Sequence, residues 1–87
     1  MQHEDMKVEG RQVRVYRSPA EGPTVVLLHG AGGSGASWEA VADAWSWADL
    51  WCPSLPGRDG SDPIGHRSVD EVARWLRDAL PSMPARP

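Results

Sequence analysis

The chain has 87 residues, 40% of them hydrophobic and 24% charged, with a formal net charge of −3. A chain of that length forms one small domain and buries about 60–65% of its extended surface. The acidic balance and the absence of a basic stripe argue against nucleic acid or an anionic membrane as the main partner.

Taken in order, the first elements read as strands. Met6-Lys-Val-Glu9 and Arg11–Arg17 flank Gly10, and in the second run Val13 and Val15 alternate with Arg14 and Tyr16. That period of two belongs to a half-buried strand, so a hairpin is expected over 6–17 with its turn at Glu9-Gly10. Arg11, Arg14 and Arg17 lie on this hairpin among interleaved acids and read as a solvated strand face. Ser18-Pro-Ala-Glu-Gly-Pro23 is a polar loop punctuated by proline and glycine. Thr24–His29, "TVVLLH", is continuous and apolar, the pattern of a strand buried on both faces.

After a run of glycines the period changes. Trp38, Val41, Ala42 and Trp45 fall on one helical face, and Ser37 is the expected N-cap. Asp49–Cys52 reads as the next short strand, closed by Pro53. A glycine- and proline-rich loop follows over 53–67. Ser68-Val-Asp-Glu71 is a capping box, and Val69, Val72, Ala73, Leu76 and Leu80 form an apolar stripe behind it, so a helix is expected over 68–80. Pro81 ends that helix, and the proline-rich 81–87 reads as a connection. The order β-β-β-α-β-α, with a βαβ unit over 24–52, makes the fold class α/β with a parallel strand pair.

The stretch "LLHGAGGSG", residues 27–35, admits three chemistries. A phosphate-binding P-loop needs a lysine where the chain has Ala36, and its only lysine is Lys7 in the first hairpin. Gly30, Gly32 and Gly35 complete the dinucleotide pattern G-x-G-x-x-G. That site also requires a carboxylate at the far end of the next strand. Asp49 opens the strand instead, and its far end, Cys52-Pro53-Ser54, carries none. The third possibility is an oxyanion-hole loop opened by His29-Gly30.

Two motifs favour the third. His29-Gly30 follows an apolar strand with Trp38 further on, and Leu55-Pro56-Gly57 runs to Gly60-Ser61 after the following strand. On these residues the chain, from about Val8 to Leu80, resembles the N-terminal portion of the α/β-hydrolase family, in its esterase, lipase and haloperoxidase-like branch. The family usually writes the second motif Asp-Leu-Pro-Gly-His-Gly-x-Ser; here Ser54 stands for the Asp and Arg58 for the His.

The resemblance implies a serine hydrolase acting on an ester or related acyl substrate, with no cofactor and no metal. By position, the backbone N–H of Ala31 would donate to the oxyanion. Gly30, Gly32 and Gly33 would let the loop bend, His29 would anchor it structurally, and Gly32 and Trp38 would border the acyl pocket, with an anchor in the core as the alternative role for Trp38. The nucleophile elbow G-x-S-x-G is absent. Gly32-Gly-Ser34-Gly-Ala36 approaches it, but Ser34 does not sit on a turn directly after a strand, and it reads as a loop or capping residue. Asp62 and His66 lie together in one loop, where the family places its acid and base after later strands.

The triad is therefore expected outside these residues. The partner this implies is the C-terminal remainder of the hydrolase, as a separate chain or a continuation, because the fold is incomplete alone and "TVVLL" would expose an apolar edge. The alternative is a truncated, non-catalytic binding module. The lone Cys52 excludes an internal disulfide and suits a reducing, cytoplasmic setting; neither a signal peptide nor a spanning helix is expected.

Overall fold

The computed structural model describes residues 1–65 and 68–80. The predicted exposure of His66 and the predicted connection 81–87 lie outside the described residues.

Strands β1 (Gln2–Val8) and β2 (Arg11–Ser18) pair antiparallel, from Gln2 opposite Arg17 to Val8 opposite Arg11. Glu9 and Gly10 join them with φ of 49° and 80°. Two consecutive positive φ values define a type I′ turn, whose twist matches that of the strands it connects. β1 starts earlier than the apolar period suggests, because its first residues are polar and exposed and carry no alternation. Cross-strand charges hold them instead. Asp5 lies directly opposite Arg14 and bonds it at 2.8 Å, and Glu4 meets Arg17 at 3.3 Å. A charged outer strand also discourages edge-to-edge association.

β3 (Thr24–Val26) and β4 (Asp49–Pro53) are parallel, and the four strands run in the order β1-β2-β4-β3. β4 is central, and all five of its residues are buried. Its side chains alternate between two faces. Trp51 joins Val13, Val15, Trp75 and Ala79 on one, while Leu50 and Cys52 join Ala42 and Ala48 on the other. The helices cover these two faces: α2 (Val69–Ala79) the first, and α1 (Glu39–Ala44) with the 3-10 turn Gly35–Trp38 the second. This is the layered α/β arrangement in which a parallel pair is stable.

Three expectations are corrected here. "TVVLLH" is not a strand buried on both faces: only Thr24–Val26 is strand, Val25, Val26 and Leu27 are half-buried, and Leu28 is 42% exposed. Among the described residues β3 has a neighbour on one side only, and the fully buried pattern belongs to β4. Ser37 does not cap the first helix: α1 starts after Trp38 with no side-chain cap, and the 3-10 turn that leads into it is capped by Ser34. Ser34 Oγ accepts from the Ala36 N–H while Ser37 Oγ accepts from the Ser34 N–H, a reciprocal capping box that starts the 3-10 turn earlier. On α2 the buried residues are Trp75 and Ala79, whereas Val69 is 85% exposed. The indole of Trp75 reaches the sheet and turns the helix so that most of the predicted stripe looks outward. Gly35 explains how close the 3-10 turn comes to the sheet: a Cβ there would overlap the Cys52 carbonyl oxygen.

Candidate active site

The carboxyl ends of β3 and β4 lead into two loops that are tied together, and His29 is the tie. It is buried, and its Nε2 accepts a 2.9 Å bond from the Leu55 N–H of the β4 loop. Nε2 is thus the unprotonated ring nitrogen, and the proton on Nδ1 is donated to the Gly30 carbonyl at 2.8 Å. With both nitrogens occupied, the ring has no free position for proton transfer. It acts as a clasp between the loops.

The Gly30 carbonyl also accepts from the Gly33 N–H at 3.1 Å, closing a turn over Gly30-Ala31-Gly32-Gly33. Gly32, at its third position, has φ of 81°. That is the pattern of a type II turn, and only glycine takes this position without strain. Gly30 and Gly33 have no positive φ, so the bend rests on Gly32 and not on all three glycines. Ala31 occupies the second position of the turn and is exposed, and among the described residues nothing accepts a bond from its N–H.

The second loop is built from two successive turns. The Arg58 N–H donates to the Leu55 carbonyl at 3.0 Å, with Pro56 and Gly57 (φ 78°) between them, and the Ser61 N–H donates to the Arg58 carbonyl at 2.9 Å. Pro then Gly in the central positions is the preferred type II sequence. Asp59 takes a left-handed φ of 53°, where the family's motif has glycine. Its carboxylate accepts from the Tyr16 hydroxyl at 2.7 Å and the Ser54 hydroxyl at 3.3 Å, and lies 3.6 Å from Arg14. These bonds, the Tyr16 hydroxyl first and the Arg14 charge with it, hold the Asp59 carboxyl below its ordinary value despite an opposing contribution from burial. Ser54, buried at the foot of the loop, accepts from the Gly35 N–H at 3.0 Å. Ser54 thus links the 3-10 turn to the Asp59 carboxylate at the foot of the loop.

The two loops enclose an open cavity of about 470 Å³. His29, Gly30 and Ala31 line one side, Leu55, Pro56 and Arg58 another, and Val69 and Val72 of α2 complete it. Gly30 and Ala31 are thus brought to the cavity, while Gly32 and Trp38 are not on its wall. Trp38 ends the 3-10 turn and is packed, half-buried, against the Ala42, Ala48, Leu50 and Cys52 cluster, the position of the core anchor that the sequence offers as its alternative role. Ser34 is spent on capping, and Asp62 accepts a 2.7 Å bond from the Gln12 N–H. Asp49 is buried at the opposite end of β4, bonding Ala20 N–H and Trp51 Nε1 and lying 3.6 Å from Arg17. It is remote from the glycine turn and not placed to hold a ribose there. Among the described residues, no cluster of His, Cys, Asp or Glu could hold a metal ion and no helix is long and apolar enough to cross a membrane.

A family profile described as the alpha/beta hydrolase fold matches residues 23–85. The chain belongs to the α/β-hydrolase family. This α/β-hydrolase segment is 33% identical over 67 residues to pimeloyl-[acyl-carrier protein] methyl ester esterases of Vibrio vulnificus, covering 76% of this chain and 26% of theirs. It therefore spans about a quarter of the curated relatives it matches. Among solved structures it is similar to the Cif epoxide hydrolase of Acinetobacter nosocomialis, with a TM-score of 0.85 at 22% identity over 94% of this chain and 26% of that one. The thioesterase domain of the curacin biosynthetic pathway aligns over the whole of this chain and 33% of its own, with a TM-score of 0.84 at 20% identity. Esterases, epoxide hydrolases and thioesterases thus share this arrangement, and at such identities the structural likeness speaks for the fold alone.

Proposed function

We propose that this chain is the N-terminal part of a serine hydrolase acting on an ester or related acyl substrate, and that it supplies half of the oxyanion hole. The observation that carries the reading is the Ala31 N–H, unpartnered among the described residues and held at the cavity wall by a turn that His29 clamps. A backbone donor fixed before substrate arrives stabilises a developing oxyanion without reorganising, which is how such donors lower an acyl-transfer barrier. The nucleophile, acid and base would come from outside these residues, since Ser34 and Asp62 are committed to structural bonds.

The C-terminal remainder would dock where this piece is unfinished. β3 pairs only with β4, and Leu28, Val69, Val72, Ala73 and Leu76 line an apolar depression of about 320 Å³ beside it. A further strand against β3 would satisfy its edge and cover that depression. The proposed reaction calls for no cofactor, nucleic acid or membrane. Burial raises the Cys52 thiol to about 11, leaving it inert, and a reducing cytoplasm suits it.

The test is complementation. This chain, joined to or mixed with a polypeptide carrying G-x-S-x-G and a late histidine, should hydrolyse 4-nitrophenyl esters, and alone it should not. Ester hydrolysis by the 87 residues alone, abolished by Ser34→Ala, would overturn the proposal. A completed sheet that binds esters without turning them over would favour a non-catalytic module.

A further inference from the structure

The cavity wall is apolar through Leu55, Pro56, Val69 and Val72, with one charged exception, Arg58. Its backbone is pinned on both sides, because it ends one turn and begins the next. The carboxylates nearest in sequence are engaged elsewhere: Asp59 with Tyr16, Ser54 and Arg14, and Asp62 with the Gln12 N–H. Among the described residues no carboxylate forms an ion pair with Arg58 or with Arg11, whereas Arg14, Arg17, Arg74 and Arg77 each have at least one, and of the two unpaired arginines only Arg58 lines this cavity. The loop thus directs its acids away from the cavity and leaves a guanidinium on it.

From this arrangement we infer that Arg58 recognises a carboxylate on the substrate, so that the preferred ester carries a free carboxyl group at the end of a short aliphatic chain. The inference rests on the hydrolase reading above and names the substrate class for the same site. With the ester carbonyl at the Ala31 N–H, the chain's methylenes run along Leu55 and Pro56 and its carboxylate meets the guanidinium. A planar guanidinium matches a carboxylate with two parallel bonds. In a chain of net charge −3, an anionic substrate gains from such a local cation.

The experiment uses the assembled enzyme, this chain with the part that carries the nucleophile. It compares kcat/KM for mono-4-nitrophenyl glutarate with that for 4-nitrophenyl pentanoate, which match in length and differ in charge. Arg58→Gln should lower the glutarate-to-pentanoate ratio roughly tenfold, the scale of one charged hydrogen-bonded contact. Arg58→Lys should restore part of it, and 0.5 M salt should depress the wild-type ratio. A ratio unmoved within twofold by Arg58→Gln overturns the inference and leaves the hydrolase reading standing. A greater dependence on Arg58 for an ester ending in a phosphonate overturns the choice of carboxylate. Wild-type turnover of neither ester overturns the hydrolase reading, and this inference with it.

Discussion

Replacing Ala31 by proline removes one hydrogen atom that matters to the chemistry and almost nothing that matters to the fold. Ala31 is the second residue of a type II turn closed by the 3.1 Å bond from Gly33 to Gly30. Proline is favoured at that position because its ring fixes the φ the turn requires. The N–H it eliminates has no acceptor among the described residues, so no internal hydrogen bond is lost. The stability of Ala31→Pro should therefore stay within about 1 kcal/mol of wild type, on the stabilising side if only unfolded-state entropy changes. In the completed enzyme the loss of one oxyanion donor should lower kcat by about 10²–10³-fold, some 3–4 kcal/mol of transition-state stabilisation, with KM little changed. Steady-state kinetics on a 4-nitrophenyl ester, alongside urea unfolding of the same variant, measures both. Retention of kcat within twofold would refute the assignment of this N–H. A stability loss beyond about 2 kcal/mol would refute the turn geometry from which the assignment follows.

Other substitutions probe the supports of the site. His29→Ala removes the acceptor for the buried loop's Leu55 N–H and a donor to Gly30, so about 2–4 kcal/mol should be lost in urea unfolding. Gly35→Ala should abolish cooperative unfolding, because its methyl group has no space against the Cys52 carbonyl; a normal melting transition would contradict this packing. Asp59 has a pH signature. Its folded carboxyl titrates below the ordinary 3.8, so the unfolded chain binds the proton more readily and stability drops as pH falls through that value and lower. Asp59→Asn should flatten this part of the stability–pH curve, and an unchanged slope below pH 4 would count against its bonds to Tyr16 and Arg14.

Much of the architecture is legible in local residues. The hairpin follows from Val13 and Val15 alternating with polar neighbours and from Glu9-Gly10 between them. The loop after β3 announces itself in His29-Gly30, and the second loop in Leu55-Pro56-Gly57, where Pro-Gly is a turn wherever it folds. These are short-range preferences, carried by dihedrals and periodicity, and the resemblance to a hydrolase rests on them. The first strand was partly hidden because ion pairs hold it, and pairing of charges leaves no period to read.

Local residue preferences therefore carry the order of elements, the positions of the turns and the family. Which strand is central, which face of α2 is inside, and what lines the cavity were decided only in three dimensions. "TVVLLH" is as apolar as "LWC", yet burial depends on having neighbours on both sides, and of these two strands β4 has them among the described residues while β3 does not. Val69 fits a helical stripe, but Trp75 offers more apolar surface to the sheet and sets the rotation of the helix. Asp59 has a left-handed φ, and its carboxylate meets Ser54 of its own loop and Tyr16 and Arg14 from the first hairpin. Contacts between residues so far apart in the chain have no local signature, and those contacts leave Ala31 and Arg58 facing the cavity.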